Sequence, residues 1–231
     1  MNCNTVEFMT LNRIKEVFGI KGLRDLFITD KTAKITDDTQ MTLFTAEGIL
    51  RARAKDAEKG IFDPKTVVFY AYQRWLYTQG YTKTYPDWIY DSYLLQYKDL
   101  FHQRAPGHTC LTALESGRIG TLEDPINDSK RCGAVMRMAP VGLLFDKNEA
   151  FRYGIEFGAL THRHPSGYLS AGAFACLIAS IIEGHTLDCA LDDALLMLRK
   201  YPGHEECSLI REKAAGLAEK NISDEEAIPL L

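Results

Sequence analysis

The sequence lacks several features that would assign it to a specialised class of protein. Its 231 residues have a formal net charge of −4, so there is no basic excess of the kind that binds nucleic acid. The 6 cysteines are scattered, and none has the C-x-x-C spacing of a zinc or redox site. The N-terminus lacks the charged-then-apolar pattern of a signal peptide. We therefore expect a cytoplasmic protein with reduced thiols and no nucleic-acid partner.

Long apolar runs and internal repeats are also missing. The longest apolar run, Ala171 to Ile182, is shorter than the ~20 residues that cross a bilayer, so it predicts a buried helix and no membrane partner. No repeat or low-complexity tract interrupts the chain. With 46% hydrophobic and 25% charged residues, the composition is typical of a globular protein, and residues 1–231 are predicted to form a single domain.

Apolar residues recur at helical spacing through most of the chain. Asp63 and Pro64 are the residue types preferred at an N-cap and at the first helical position, and Gly80 predicts the end of that helix. Pro140 predicts a break in a helical pattern. Ser223 to Glu226 has the sequence of a capping box. Further helices are predicted over residues 109–116, 148–160, 166–183, 186–200 and 205–221.

The chemically most informative stretch is Thr36-Asp37-Asp38, directly before an apolar-periodic run through Leu43, Ala46, Leu50 and Ala54. One interpretation is a capped helix start, because Thr and Asp are common N-cap residues and carboxylates are favoured at the positive end of a helix. The other interpretation is a site for a hard cation. Two carboxylates and a hydroxyl suit Mg²⁺ or Mn²⁺ better than Zn²⁺.

Three other stretches are candidates for function. Cys132, Gly133 and Ala134 are small enough to let the backbone approach a ligand, and Arg137 nearby is a charge in an apolar setting that requires a partner. His162 and His164 lie in a loop, where such a pair is either solvated or capping, or contacts a metal or substrate. The aromatic residues between 77 and 101 either complete the core or stack on a nucleotide base.

Three of these motifs, in this order and spacing, resemble the ADP-ribosylglycohydrolase family, which includes the dinitrogenase reductase-activating glycohydrolases. They are Thr36 to Met41, Gly133 to Pro140 and Thr161 to Pro165. The resemblance implies an all-α fold, an orthogonal multi-helix bundle around a two-magnesium site. It also implies that the ligand is an ADP-ribosylated protein or an ADP-ribose-type small molecule.

The resemblance also implies roles for particular residues. Thr36, Asp37 and Asp38 match the first metal-ligand cluster of the family, and we expect Asp37 to be catalytic as well. Glu7 matches the glutamate at the end of the family's opening motif and is a candidate acid or base. The expected substrate-binding residues are Cys132, Gly133, Ala134 and His162.

Two family features have no counterpart in the sequence. A Gly-Asp-rich stretch is missing before Glu7, and no later segment matches the Asp-x-Asp-Ser/Thr cluster that closes the family's metal site. We therefore expect a chain truncated at both ends, with a bundle incomplete at the C-terminus and at most one weak ion site instead of two. An incomplete bundle would expose an apolar patch, lined partly by residues 171–182 or by the Leu43 face, through which the protein self-associates.

Two functional hypotheses follow. The first is a magnesium-dependent hydrolase that cleaves the glycosidic bond between ADP-ribose and a modified protein side chain or small conjugate. The second is a catalytically inactive remnant of the family that at most binds an ADP-ribose-like ligand or a protein partner.

Overall fold

The computed structural model describes residues 6, 9–25, 28, 32–81, 85–124, 126–220 and 222–231, and within these ranges the protein is helical and has no β-strand. The all-α prediction is therefore confirmed. The α-helices are α1 (Leu11–Phe18), α2 (Asp37–Lys59), α3 (Pro64–Thr78), α4 (His108–Glu115), α5 (Ala139–Leu144), α6 (Lys147–Ala159), α7 (Pro165–Ile182), α8 (Leu187–Leu198), α9 (Glu205–Ala218) and α10 (Asp224–Ala227). Short 3-10 turns cover Asp87–Tyr90, Leu94–Gln96, Lys98–Leu100, Val135–Arg137 and Ile228–Leu230.

Side-chain caps fix the starts of several helices. The Asp63 carboxylate accepts from the Thr66 amide at 3.2 Å, and the Asp146 carboxylate accepts from two amides of the first turn of α6. His164 caps α7, since its Nδ1 accepts from the Ser166 amide at 3.1 Å. Each cap satisfies backbone donors that have no partner within the helix. Of the alternatives that the sequence left open for His164, the structure shows helix capping.

Helix α7 is the centre of the bundle and packs against α5, α6, α8 and α9. Its 18 residues have a mean hydropathy of 1.5, so by length and composition alone it could cross a membrane, contrary to the expectation from the shorter apolar run. Half of it is buried inside the bundle, which is sufficient to account for its apolar face. A large core between α2, α3, α5, α6 and α7 surrounds Trp75, Tyr72 and Phe44.

Most helices follow the sequence prediction closely. Helix α3 begins at Pro64 with Asp63 as its cap, and α4, α6, α7, α8 and α9 lie within a few residues of the predicted ranges. The break predicted at Pro140 is present as the boundary between two elements. Pro140 lies in the first turn of α5, directly after a 3-10 turn. The Glu226 carboxylate accepts from the Ser223 amide at 3.3 Å, as the capping box predicts.

Helix α2 presents an unexpected face to the core. The buried residues are Met41, Phe44, Ile49 and Ala52, whereas Leu43 and Leu50 of the apolar-periodic run are 39% and 58% exposed. The aromatic segment after α3 also remains largely at the surface, where Tyr93 is 63% exposed. An exposed apolar patch at the Leu43 face is therefore present.

Candidate active site

The hydroxyl of Thr36 does not cap helix α2. Thr36 is the N-cap residue, but its side chain accepts no amide of the first turn, unlike the capping side chains of Asp63 and Asp146. Its Oγ1 instead donates to Asp38 Oδ2 at 2.8 Å. Thr36 and Asp37 are buried, and Asp38 is half-buried. The Thr36 hydroxyl is thus engaged by a first-turn carboxylate and not by a first-turn amide.

A loop before α4 holds Asp37 in place. The Asp37 amide donates to the Arg104 carbonyl at 2.9 Å, and Asp37 Oδ2 accepts from the Gly107 amide at 3.2 Å. Between these two anchors Ala105 has a φ of 58°, the one positive value for a non-glycine residue in the described ranges. Such a conformation costs of order 1–3 kcal/mol and persists only where its surroundings impose it. The loop is therefore built around the carboxylate of Asp37.

Gln40, one turn further along α2, fastens the same loop to the core. Its side chain is fully buried and its Nε2 donates to the carbonyls of Leu100 and His102 at 3.3 and 3.0 Å. Its Oε1 accepts from Trp75 Nε1 at 3.2 Å. A buried side chain with this many partners makes the start of α2 rigid.

The Thr36, Asp37 and Asp38 oxygens fit a hard divalent cation. Carboxylate and hydroxyl oxygens are the ligand types that Mg²⁺ prefers. The Thr36 hydroxyl and Asp38 carboxylate are 2.8 Å apart and joined by a hydrogen bond. In the described part of the chain, however, no three His, Cys, Asp or Glu side chains group as metal ligands. The donor types present are of the kind that binds a hard cation, and the single ion expected from the sequence stays a prediction.

The small-residue segment and His162 are in contact. A Cβ on Gly133 would lie 3.0 Å from His162 Cε1, 3.2 Å from His162 Nε2 and 2.9 Å from Cys110 Sγ. Any residue larger than glycine at position 133 would collide with the His162 ring. Ala134 is fully buried beside it, whereas the Cys132 side chain is exposed. The structure thus brings together the second and third motifs found in the sequence.

Arg137 connects these motifs to α2. Its guanidinium is fully buried, lies 4.4 Å from the ring centroid of Tyr72, and donates to Thr161 Oγ1 at 2.7 Å and to Met41 Sδ at 3.5 Å. Arg137 therefore has partners, but they are a hydroxyl, an aromatic ring, two sulfur atoms and the Phe157 carbonyl, which accepts from Nη2 at 3.3 Å. The described residues form no ion pair with Arg137. Ring face and hydroxyl together offset the cost of burying this cation.

His162 is held as a neutral ring. Burial and the charge of Arg137 lower the pKa of His162 to about 3. Because Thr161 Oγ1 already accepts from Arg137, its hydrogen is available to His162 Nδ1, 2.8 Å away. The ring proton then lies on Nε2, which is buried and has no hydrogen-bond partner among the described residues. This nitrogen lies next to Gly133, 3.2 Å from the position that a Cβ would occupy there.

Helix α2, which begins with the carboxylate cluster, also contacts the segment that carries Gly133 and Arg137. Thr42 Oγ1 lies 3.4 Å from the Met136 carbonyl, one turn beyond Asp38. Burial raises the pKa of the Cys110 thiol; Arg137 opposes this, and the Asp37 charge adds to it. Asp37 thus acts on the thiol that lies beneath Gly133. Glu7, the predicted acid or base, lies outside the described residues.

Sequence reasoning did not identify the Arg104 to Gly107 loop or Gln40. Pro106-Gly107 directly before a helix is a turn signal that could have indicated the loop. Gln40 gives no such signal, because glutamine on a helix is usually exposed. Its role follows only from the way α3 and residues 100–102 meet.

The sequence matches the profile of the ADP-ribosylglycohydrolase family over residues 4–228. The match includes all three motifs and the loop around Asp37. Because it covers nearly the whole chain, it gives no support to the expected truncation at both ends.

Proposed function

Because the chain belongs to the ADP-ribosylglycohydrolase family, we propose that it is a magnesium-dependent hydrolase acting on ADP-ribose conjugates. The bond cleaved is the glycosidic bond between ADP-ribose and a modified protein side chain or small conjugate. The main support is the oxygen cluster of buried Thr36 and Asp37 with half-buried Asp38, in which the Thr36 hydroxyl donates to the Asp38 carboxylate instead of capping the helix.

Hydrolysis at the ribose passes through an oxocarbenium-like state, which requires a polarised leaving group and an activated water. Held by Thr36, Asp37 and Asp38, a Mg²⁺ or Mn²⁺ would lower the pKa of a coordinated water and orient the ribose hydroxyls. The protein contributes Asp37, fixed by the Gly107 and Arg104 backbone, and Glu7 as the proposed acid or base.

The substrate would approach along Cys132, Gly133 and Ala134. The glycine at position 133 lets the backbone lie directly against the His162 ring and Cys110, where a side chain would collide with both. His162 Nε2–H is an unpaired donor at the same place, and a neutral imidazole can donate this proton without losing it. A ligand oxygen that accepts from it removes the cost of an unsatisfied buried donor.

The test is release of ADP-ribose from ADP-ribosylated arginine and serine peptides with added Mg²⁺. We expect Asp37→Ala to reduce the rate at least about a hundredfold, since stabilisation of several kcal/mol by the cation is lost. Asp63→Ala is the matched control, because it also removes an aspartate at a helix start, but at α3. If Asp37→Ala retains the rate of the control, the proposed role of the cluster is wrong.

A second candidate function is binding of an ADP-ribose-like ligand without turnover. It is favoured by the finding that the described residues hold no group of three side-chain metal ligands of the His, Cys, Asp or Glu type. Calorimetry with ADP-ribose separates the two functions. Binding together with a hydrolysis rate equal to that of Asp37→Ala would support this second function and exclude the first.

A further inference from the structure

Thr161 lies between Arg137 and His162 and is hydrogen-bonded to both. Arg137 Nη2 donates to Thr161 Oγ1 at 2.7 Å, and the same oxygen lies 2.8 Å from His162 Nδ1. At most 1% of each of these three side chains is exposed. The protein itself therefore determines where the protons of this group lie.

The position of the Thr161 hydroxyl is fixed from several sides. The Thr161 amide donates to the Gly158 carbonyl at 3.2 Å, and the Thr161 carbonyl accepts from Asn127 Nδ2 at 2.7 Å. The guanidinium of Arg137 is anchored as well, because its Nη2 also donates to the Phe157 carbonyl at 3.3 Å. The hydroxyl oxygen thus has a defined place between its two neighbours.

The directions of the two hydrogen bonds follow from what each group can donate. A guanidinium has no acceptor atom, so Thr161 Oγ1 must accept from Arg137. The Thr161 hydrogen is then donated to His162 Nδ1, which accepts it as an unprotonated nitrogen. The Cys110 sulfur is also near the hydroxyl, but sulfur is a weak acceptor and this one already accepts from Arg137 at 3.4 Å.

The opposite tautomer of His162 leaves more buried groups unpaired. With its proton on Nδ1, the ring would donate to Thr161 Oγ1, and the Thr161 hydrogen would have only the weak Cys110 sulfur as an acceptor. His162 Nε2 would become an acceptor that has no donor among the described residues. The ring proton would also lie on the side of the Arg137 charge. Hydrogen bonding and electrostatics therefore favour the same tautomer, with the proton on Nε2.

We propose that Thr161 is a positioning residue that fixes the tautomer of His162, so that Nε2–H is presented to an acceptor oxygen of the substrate. The tautomer is a property of the protein alone, whereas its effect on the substrate rests on the proposed function. His162 Nε2 lies beside Gly133, in the segment along which the substrate would approach. An N–H at this place binds a phosphate or ribose oxygen, whereas a nitrogen lone pair would repel it.

Nitrogen NMR of the histidine rings in the ligand-free protein tests the tautomer, and His162→Asn assigns the signal. We expect a wild-type ring that is protonated on Nε2 and unprotonated on Nδ1. Thr161→Val keeps the shape of the side chain but removes the hydroxyl, so a mixture of both tautomers is expected. Thr161→Ser is expected to retain the wild-type tautomer. Ser180→Ala is the matched control, because it removes another fully buried hydroxyl, one bonded to Asp193.

Calorimetric titration with ADP-ribose tests the consequence for binding. We expect Thr161→Val to bind about tenfold more weakly than the wild type, the contribution of one hydrogen bond. Thr161→Ser and Ser180→Ala are expected to bind as the wild type does. A purely structural role of Thr161 would not change the tautomer, so the two measurements together identify a positioning role.

A wild-type ring with its proton on Nδ1, an unchanged tautomer in Thr161→Val, or full ADP-ribose affinity in that variant would overturn the proposal. The wild-type spectrum tests the tautomer even if Thr161→Val does not fold. A wild type that has the expected tautomer but neither binds ADP-ribose nor hydrolyses its conjugates would instead contradict the proposed function. The two failures are therefore distinguishable.

Discussion

At the scale of single residues, the site combines groups that are costly to bury. His162, Arg137 and Asp37 are each at least nine-tenths buried, and each is held by specific hydrogen bonds to the backbone or to a hydroxyl. Arg137 keeps His162 neutral, and burial acts in the same direction. The sequence identified these residue types, but their coupling through the Thr161 hydroxyl depends on the way α6 ends against the 3-10 turn at Val135–Arg137.

The low pKa of His162 predicts acid sensitivity. In the window between its ordinary pKa of about 6.5 and the folded value of about 3, the unfolded chain binds a proton that the native protein does not. The stability from this group is complete above that window. As the pH falls through it, the free energy of unfolding decreases by up to about 1.4 kcal/mol per pH unit.

Urea unfolding of the wild type and His162→Asn between pH 7 and pH 4.5 measures this effect. The variant is expected to show the shallower dependence on pH, whatever its stability at pH 7. His102→Asn, which removes an exposed histidine, is expected to retain the wild-type slope because His162 remains. Equal slopes for wild type and His162→Asn would show that the ring is not held neutral.

At the scale of the helices, sequence patterns located most of the elements but not all of their faces. Helices α3 and α6 to α9 were predictable because caps, a first-turn proline and apolar periodicity agree there. For α2 the periodic leucines indicated a face that is in fact exposed. The buried face contains Thr45, Gly48 and Gln40, small or polar residues whose burial depends on the close approach of α3 and on tertiary hydrogen bonds.

The close packing between α6 and α7 gives the second stability prediction. A Cβ on Gly172 would lie 2.8 Å from the Phe151 carbonyl oxygen and 2.8 Å from Ile155 Cγ1. We expect Gly172→Ala to reduce the free energy of unfolding by about 1–3 kcal/mol, because the helices must move apart. Urea denaturation provides the measurement.

The matched control for that variant is Gly216→Ala in α9. A Cβ there meets no atom within 4 Å, so the variant is expected to be more stable by about 0.5–1 kcal/mol through helix propensity alone. Similar effects of the two substitutions would mean that α6 and α7 do not approach as closely as described.

At the scale of the whole molecule, an exposed apolar surface accompanies the buried site. Leu43 and Leu50 of α2 lie beside Tyr93 around a shallow groove. The sequence predicted such a patch from an assumed loss of C-terminal helices. The family match gives no support to that reason, and the patch follows instead from the orientation of α2.

Self-association through this surface remains a prediction. Sedimentation velocity at increasing protein concentration is expected to show a reversible dimer for the wild type and a monomer for Leu50→Glu. Leu187→Glu is the matched control, since Leu187 is 58% exposed, as is Leu50, but lies on α8. If Leu50→Glu associates as strongly as Leu187→Glu, the Leu43 face is not the contact.

The central claim is that the oxygens of Thr36, Asp37 and Asp38 bind a divalent cation, and calorimetric titration with Mn²⁺ tests it directly. We expect the wild type to bind with one-site behaviour and Asp37→Asn to bind at least about tenfold more weakly, because one anionic ligand is lost. Asp63→Asn, at the start of α3, is expected to match the wild type. Equal Mn²⁺ affinity in Asp37→Asn and the wild type, or no binding to either, would contradict the claim.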